Sequence, residues 1–422
     1  MKRKTATKLL APLLALGLVA GACGSDDSTA AGPEDSKAPI AAVATSLTGA
    51  STLRAGLTGL LTEHVYLAAL ATGSALRGDN AGFEAYAAAL NGPTDSNTAD
   101  LVAAISSAYG DEVGTAFDGL WRSDDHIGAF VAYTQAVAAD DTAAADKAVA
   151  SLLAYAKTFG TTLNSVNPDL PADTVEEGVV MHATTLIAVI DAQKAGDQPK
   201  VYESLREAYG HMGAFAEALA GATAGAFPEK FEGDASSSAA ALRAGMTSLL
   251  REHVFLAASA TGAALGGRQP QFEAAAGALN GPTASNTADL VAAITSVYGD
   301  DVGTAFDGLW RSDDHIGAFV AYTQALASDD QAGADAAVEN LMAYAKTFGT
   351  TLNSVNPNLP ADAVEEAIVM HATTLIAVIE AQKAGDPAMT ATLLRAAVHH
   401  MSDTADVLAE ATVKNFPAKF KG

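Results

Sequence analysis

Cysteine is almost missing from this chain of 422 residues; Cys23 is the only one. A lone thiol closes no intrachain disulfide, and it excludes a zinc finger or a thiolate cluster. Basic residues are scarce as well. Lys and Arg number 24 against 49 Asp and Glu, a formal net charge of −25. A polyanion of that strength is repelled by nucleic acid, which excludes a nucleic-acid partner. Long apolar runs are lacking beyond the N-terminus. Gly178 to Ile190 is mostly apolar, but it is short and interrupted by His182. Several signatures of chemistry are absent too: Cys-x-x-Cys-His for covalent haem, His-Glu-x-x-His of metalloproteases, a Gly-x-Ser-x-Gly elbow, the Glu-x-x-His of di-iron bundles, and a Gly-rich phosphate loop.

The N-terminus reads as a processing signal. Lys2, Arg3, Lys4 and Lys8 precede an apolar stretch, Leu9 to Ala22, and then Cys23. A charged start, a short apolar core and small residues before a cut site make a secretory leader, too short to remain as a spanning helix. Ala20-Gly21-Ala22-Cys23 resembles a bacterial lipoprotein processing box. The resemblance implies a signal peptide over 1–22, with Cys23 lipid-modified as the first mature residue. The protein would then sit at the outer face of the cell membrane, held by its lipid. Residues 23–52, rich in Ser, Ala, Asp and Pro, read as a flexible tether.

The rest is one unit written twice. Residues 53–233 and 242–422 align without a gap at a constant offset of 189, and Asp234 to Ala241 reads as a linker. Gly119-Leu120-Trp121-Arg122-Ser123-Asp124-Asp125-His126 recurs as Gly308 to His315. A period this long means tandem domains rather than a solenoid. Within each copy alanine is abundant and no stretch alternates with period two for the length of a strand. Apolar residues at 57, 60, 61, 67, 68 and 71 follow the spacing of one helix face. Asn91-Gly92-Pro93 breaks a short second helix, and Asn97 to Asp100 reads as a cap before Leu101. Further helices are expected over 123–138, 143–163, from Pro171 to about 196, and over 200–222. The expectation is an all-α pair of duplicated helical bundles.

Histidine is the residue with pointed chemistry. Eight of nine fall in repeat-equivalent pairs: His64/His253, His126/His315, His182/His371 and His211/His400; His399 stands alone. Each of the four lies on a different expected helix, mostly among apolar neighbours. Facing helices bring such groups to one core site, and neutral imidazole is a ligand for copper or zinc, ahead of iron or non-covalent haem. All eight are therefore candidate metal ligands. Glu63 and Glu252, next to the first histidine and turned about 100° from it on an ideal helix, are candidate partners of the coordinating rings. The competing reading makes these histidines satisfied core residues of a structural or interaction protein of the envelope, with an envelope protein as partner. A third makes the same site an oxidase or peroxidase. The pattern favours binding, sequestration or delivery over catalysis. Trp121 and Trp310 read as core packing.

The segments Leu-Trp-Arg with a following His-Ile, Tyr-Ala-Lys-Thr-Phe-Gly, Asn-Pro-Asn-Leu-Pro-Ala-Asp and Phe-Pro-Ala-Lys-Phe resemble a family of secreted, all-helical bacterial proteins of unassigned activity, over residues 53–422. Some members carry names borrowed from copper amine oxidases. This chain has neither the Asn-Tyr-(Asp/Glu) tyrosine nor the His-x-His pair such enzymes need. The resemblance implies fold and export, not an activity.

Overall fold

The apolar spacing becomes helix almost everywhere. The structure, a computed structural model, describes residues 44–420; the leader, Cys23 and residues 24–43 of the tether lie outside the described residues. In the first repeat α1 spans Gly49–Leu76, α2 Asn80–Asn91, α3 Asn97–Tyr109 and α4 Asp111–Trp121. A π-helical turn, Asp124–Gly128, leads into α5 Ala129–Ala138, followed by α6 Thr142–Val166, α7 Ala172–Ala195 and α8 Gln198–Ala226. The second repeat reproduces every one of these at the same offset: α9 Ser238–Leu265, α10 Gln269–Asn280, α11 Asn286–Tyr298, α12 Asp300–Trp310, a π-helical turn Asp313–Gly317, α13 Ala318–Ala327, α14 Gln331–Val355, α15 Ala361–Ala384 and α16 Pro387–Asn415. Among the described residues there is no strand, so the fold is all-α. None of these helices is long and apolar enough to cross a membrane.

Caps set the helix starts. Thr48, Asp79, Ser96, Asp141 and Asp197 each accept a backbone N–H three residues on, satisfying a donor that the first turn leaves free. The α3 cap is thus Ser96 and not the expected Asn97–Asp100. Asn97 is drawn inside, where its Nδ2 donates to the Leu60 carbonyl at 2.8 Å. Apolar spacing did not separate α4; Gly110, at φ 96°, turns the chain between α3 and α4 in a region other residues avoid. The helix expected over 123–138 is two elements, because the π-helical turn interrupts its period.

The segments read as tether and linker are structured at their ends. Ser46 is fully buried and donates both its backbone N–H and its hydroxyl to Glu410, at 2.8 and 2.9 Å. The first helix begins at Gly49, and α9 begins at Ser238, inside the expected linker. The Ala235 carbonyl accepts from Arg54 at 2.8 Å. The repeats are more than neighbours on a string: α1 packs on α9, α16 on α2 and α8 on α10, and they form one compact unit.

Within a repeat α8 packs on α1 and α7, and α6 on α7. The frame is tight. Leu186, Val189 and Ile190 of α7 have no exposed surface. A Cβ at Gly160 of α6 would stand 2.3 Å from the Ala172 carbonyl oxygen of α7, and Gly349 faces Ala361 at the same 2.3 Å. Gly160→Ala is expected to lower stability by about 1–3 kcal/mol through overpacking, visible as a lower Tm. An unchanged Tm would mean that α6 and α7 part freely.

Candidate metal centre

Three of the four predicted histidines in each repeat meet. His64 comes from α1, His126 from the π-helical turn and His182 from α7, and one ring nitrogen of each lies within 4.8 Å of the others. His253, His315 and His371 repeat the arrangement. None of the six rings is more than 4% exposed. Ring centroids lie 5.5 Å (His64–His182), 5.7 Å (His64–His126) and 6.2 Å (His126–His182) apart, and 5.6, 5.6 and 6.3 Å in the second repeat.

The local chain explains how His126 reaches the centre. Trp121 ends α4, so its carbonyl has no helical donor. The His126 Nδ1–H donates to that carbonyl at 2.7 Å, and His315 does the same to Trp310 at 2.8 Å. This bond fixes the tautomer and leaves the Nε2 lone pair free. Aromatic rings wall the site. Tyr155 stacks on His126 at 4.6 Å and 3°, Trp121 sets its edge against His64 and His126, and Phe130 meets His182. Trp121 is buried packing, as expected, but packing of this cage. Tyr155 and Tyr344 open the repeated Tyr-Ala-Lys-Thr-Phe-Gly segment, whose place beside the histidines the sequence did not reveal. The signal was present in Tyr155 and Phe159 one turn apart on α6.

The chemistry of the site lies in what is unpaired. His64 Nδ1, both nitrogens of His182, the Tyr155 hydroxyl and the Trp121 indole N–H are buried without a hydrogen-bond partner. Their counterparts His253 Nδ1, both nitrogens of His371, the Tyr344 hydroxyl and the Trp310 N–H are unpaired too. Buried polar atoms are ordinarily satisfied, and each orphan calls for a cause. Burial also keeps the rings neutral. It lowers the pKa of His64 to about 3, helped by His126, and those of His126 and His315 to about 4. Burial lowers His371 to about 3, and puts His182 and His253 well below the ordinary value. Three neutral imidazoles in a buried aromatic cage are a nitrogen donor set suited to zinc or copper. With Zn–N bonds of about 2.0–2.1 Å, tetrahedral nitrogens stand about 3.3 Å apart, so modest ring rotations would close the triad on an ion.

The remaining predicted site residues go elsewhere. His211 and His400 do not join the triads. Their Nε2–H groups donate to the Gly178 carbonyl at 2.8 Å and the Ala367 carbonyl at 3.0 Å, each on the neighbouring helix. Glu63 and Glu252 do not support the coordinating rings either. Their turn from His64 and His253 carries them to the joint between repeats. Glu63, with no exposed surface, accepts from Arg251 and Arg395 at 2.7 Å and from His399 at 3.1 Å. Glu252 accepts from Arg206 at 3.2 Å and Asn286 at 2.9 Å. The pairing is reciprocal: Arg395 of the second repeat reaches Glu63 of the first, and its counterpart Arg206 reaches Glu252. Burial tends to raise the pKa of Glu63, but the His399 hydrogen bond and the arginines hold it far below the usual carboxylate range. At Glu252 burial prevails and the pKa rises. Cys23 lies outside the described residues. Comparison with known proteins adds no assignment: no family model, no curated protein and no solved structure matches this chain.

Proposed function

We propose that this protein binds metal, one ion per repeat, through His64, His126 and His182 and through His253, His315 and His371. The supporting observation is the recurrence, in both repeats, of three buried neutral imidazoles with a ring nitrogen of each within 4.8 Å of the others, two of the three rings carrying unpartnered nitrogens. One ion takes up a lone pair from each ring, which no donor around them does. The all-nitrogen donor set suits zinc or copper. The reading in which all these histidines are satisfied core residues fits His211 and His400, which bond main-chain carbonyls outside the triads, and does not account for the unpartnered nitrogens of His64, His182, His253 and His371. With Cys23 lipid-modified, the protein would sequester or deliver its ions at the outer face of the membrane.

The test is elemental analysis of the purified chain after loading with Zn2+ or Cu+ and removal of excess. The expected content is two ions per chain, one for each histidine triad. His182→Ala and His371→Ala should each remove one, and the double variant both. Bound ion should also raise Tm, since it binds the folded state alone. A chain that keeps no ion, or binding untouched by the double variant, rules the reading out.

A further inference from the structure

The two triads have one matching cavity each, at His64 and at His253, but differ on another side. A cavity of about 170 Å³ opens beside the second triad. His315, His371 and Tyr344 form its buried end, and Asp403 and Val407 of α16, both exposed, form its mouth. In the first repeat that corner is filled. Phe215 stands at the position of Thr404, and its ring lies over Gly178, the counterpart of Ala367; a Cβ on Gly178 would come within 2.7 Å of the ring carbons. The mouth differs in charge as well, because Ala214 occupies the position of Asp403. An uncharged cavity reaches His64 in one repeat and His253 in the other with matching lining, so it does not distinguish them. The acidic route belongs to the second repeat.

We infer that the second triad exchanges its ion faster, through the additional acidic opening between Asp403 and His371, while the first, closed on that side by Phe215, exchanges only through the uncharged cavity at His64. This rests on the metal-binding reading and adds a division of labour to it. The carboxylate at the mouth raises the local concentration of a cation, and Thr404 leaves the space that Phe215 denies.

The test follows release of Zn2+ from the fully loaded chain to a chromogenic chelator. Two phases of equal amplitude are expected, separated by about tenfold or more in rate, which corresponds to about 1.4 kcal/mol in barrier. His371→Ala should remove the fast phase and His182→Ala the slow one. Thr404→Phe with Ala367→Gly should slow the fast phase toward the other, and Phe215→Thr should speed the slow phase. Asp403→Asn, a surface change, should slow Zn2+ uptake at the second site, and it decides the matter if the Phe variant loses its helical circular dichroism. Two ions leaving in one phase, unaffected by Phe215→Thr and Asp403→Asn, would overturn the inference and leave metal binding standing. Failure to retain zinc at all would overturn both.

Discussion

Lowering the pH from about 7 to about 5 is expected to strip the metal-free protein of most of its stability. An unfolded imidazole takes its proton near pH 6.5. Folded His126 and His315 take theirs only near pH 4, and His64 and His371 near 3. Throughout that window the unfolded chain binds more protons, so stability is fully present above about pH 6.5 and falls as the pH falls toward about 4. For a histidine with a folded pKa of about 4, the loss by about pH 5 is about 2 kcal/mol. The four rings with folded values of about 3 to 4 together rival the whole stability of an ordinary domain, about 5–15 kcal/mol, and the lowered His182 and His253 add a loss of the same sign. Glu63 adds a loss of the same sign at lower pH, since its depressed carboxylate must then be protonated. Glu252, with a raised pKa, works the other way. Thermal melts followed by circular dichroism across this range check the result, and a Tm unchanged between about pH 7 and 5 would refute it. Zinc-loaded protein should resist to lower pH, because the ion occupies the lone pairs that protons seek.

The second large effect is expected at the joint. Glu63→Ala should cost about 3–5 kcal/mol in urea unfolding, the range for a buried ion pair that loses one partner. Arg251 and Arg395, with side chains 4% and 10% exposed, would lose their shared carboxylate. Glu252→Ala should cost less. Arg206 keeps Asp289 just as Arg395 keeps Asp100, but no counterpart of the buried Arg251 is stranded at Glu252, and burial has already raised that carboxyl's pKa. A loss at Glu252 equal to or greater than that at Glu63 would contradict this account.

The helices and the duplication were legible because both are local or self-referential. The α1 stripe around Leu57, Leu61 and Leu67 marks an inward face, and the offset of 189 recovers every element. His64 could be placed inside by that stripe, and His182 by the one of Val175, Val179, Leu186 and Val189 on α7. His211 shares that pattern yet bonds the Gly178 carbonyl, because periodicity tells which face a ring lies on and not which acceptor it finds. The turn at Asp124–Gly128 was hidden since a π-helical insertion breaks the period that reveals helices. The duty of Glu63 was hidden for another reason: Arg395 lies 332 residues along the chain. An acid repeated at one offset within the apolar α1 and α9 was the available hint.

The reciprocal arginine–glutamate pairing at the joint has the self-complementary form of a two-fold homodimer contact, in which each half offers the same patch to the other. In a true homodimer every substitution appears on both sides of the axis. Tandem fusion lifts that constraint. Arg251 stands where the first half has Thr62, and His399 where it has Gly210. One carboxylate on the axis therefore collects three bases while its twin makes do with one. Covalent linkage thus gives this molecule a lopsidedness that no pair of identical subunits could hold.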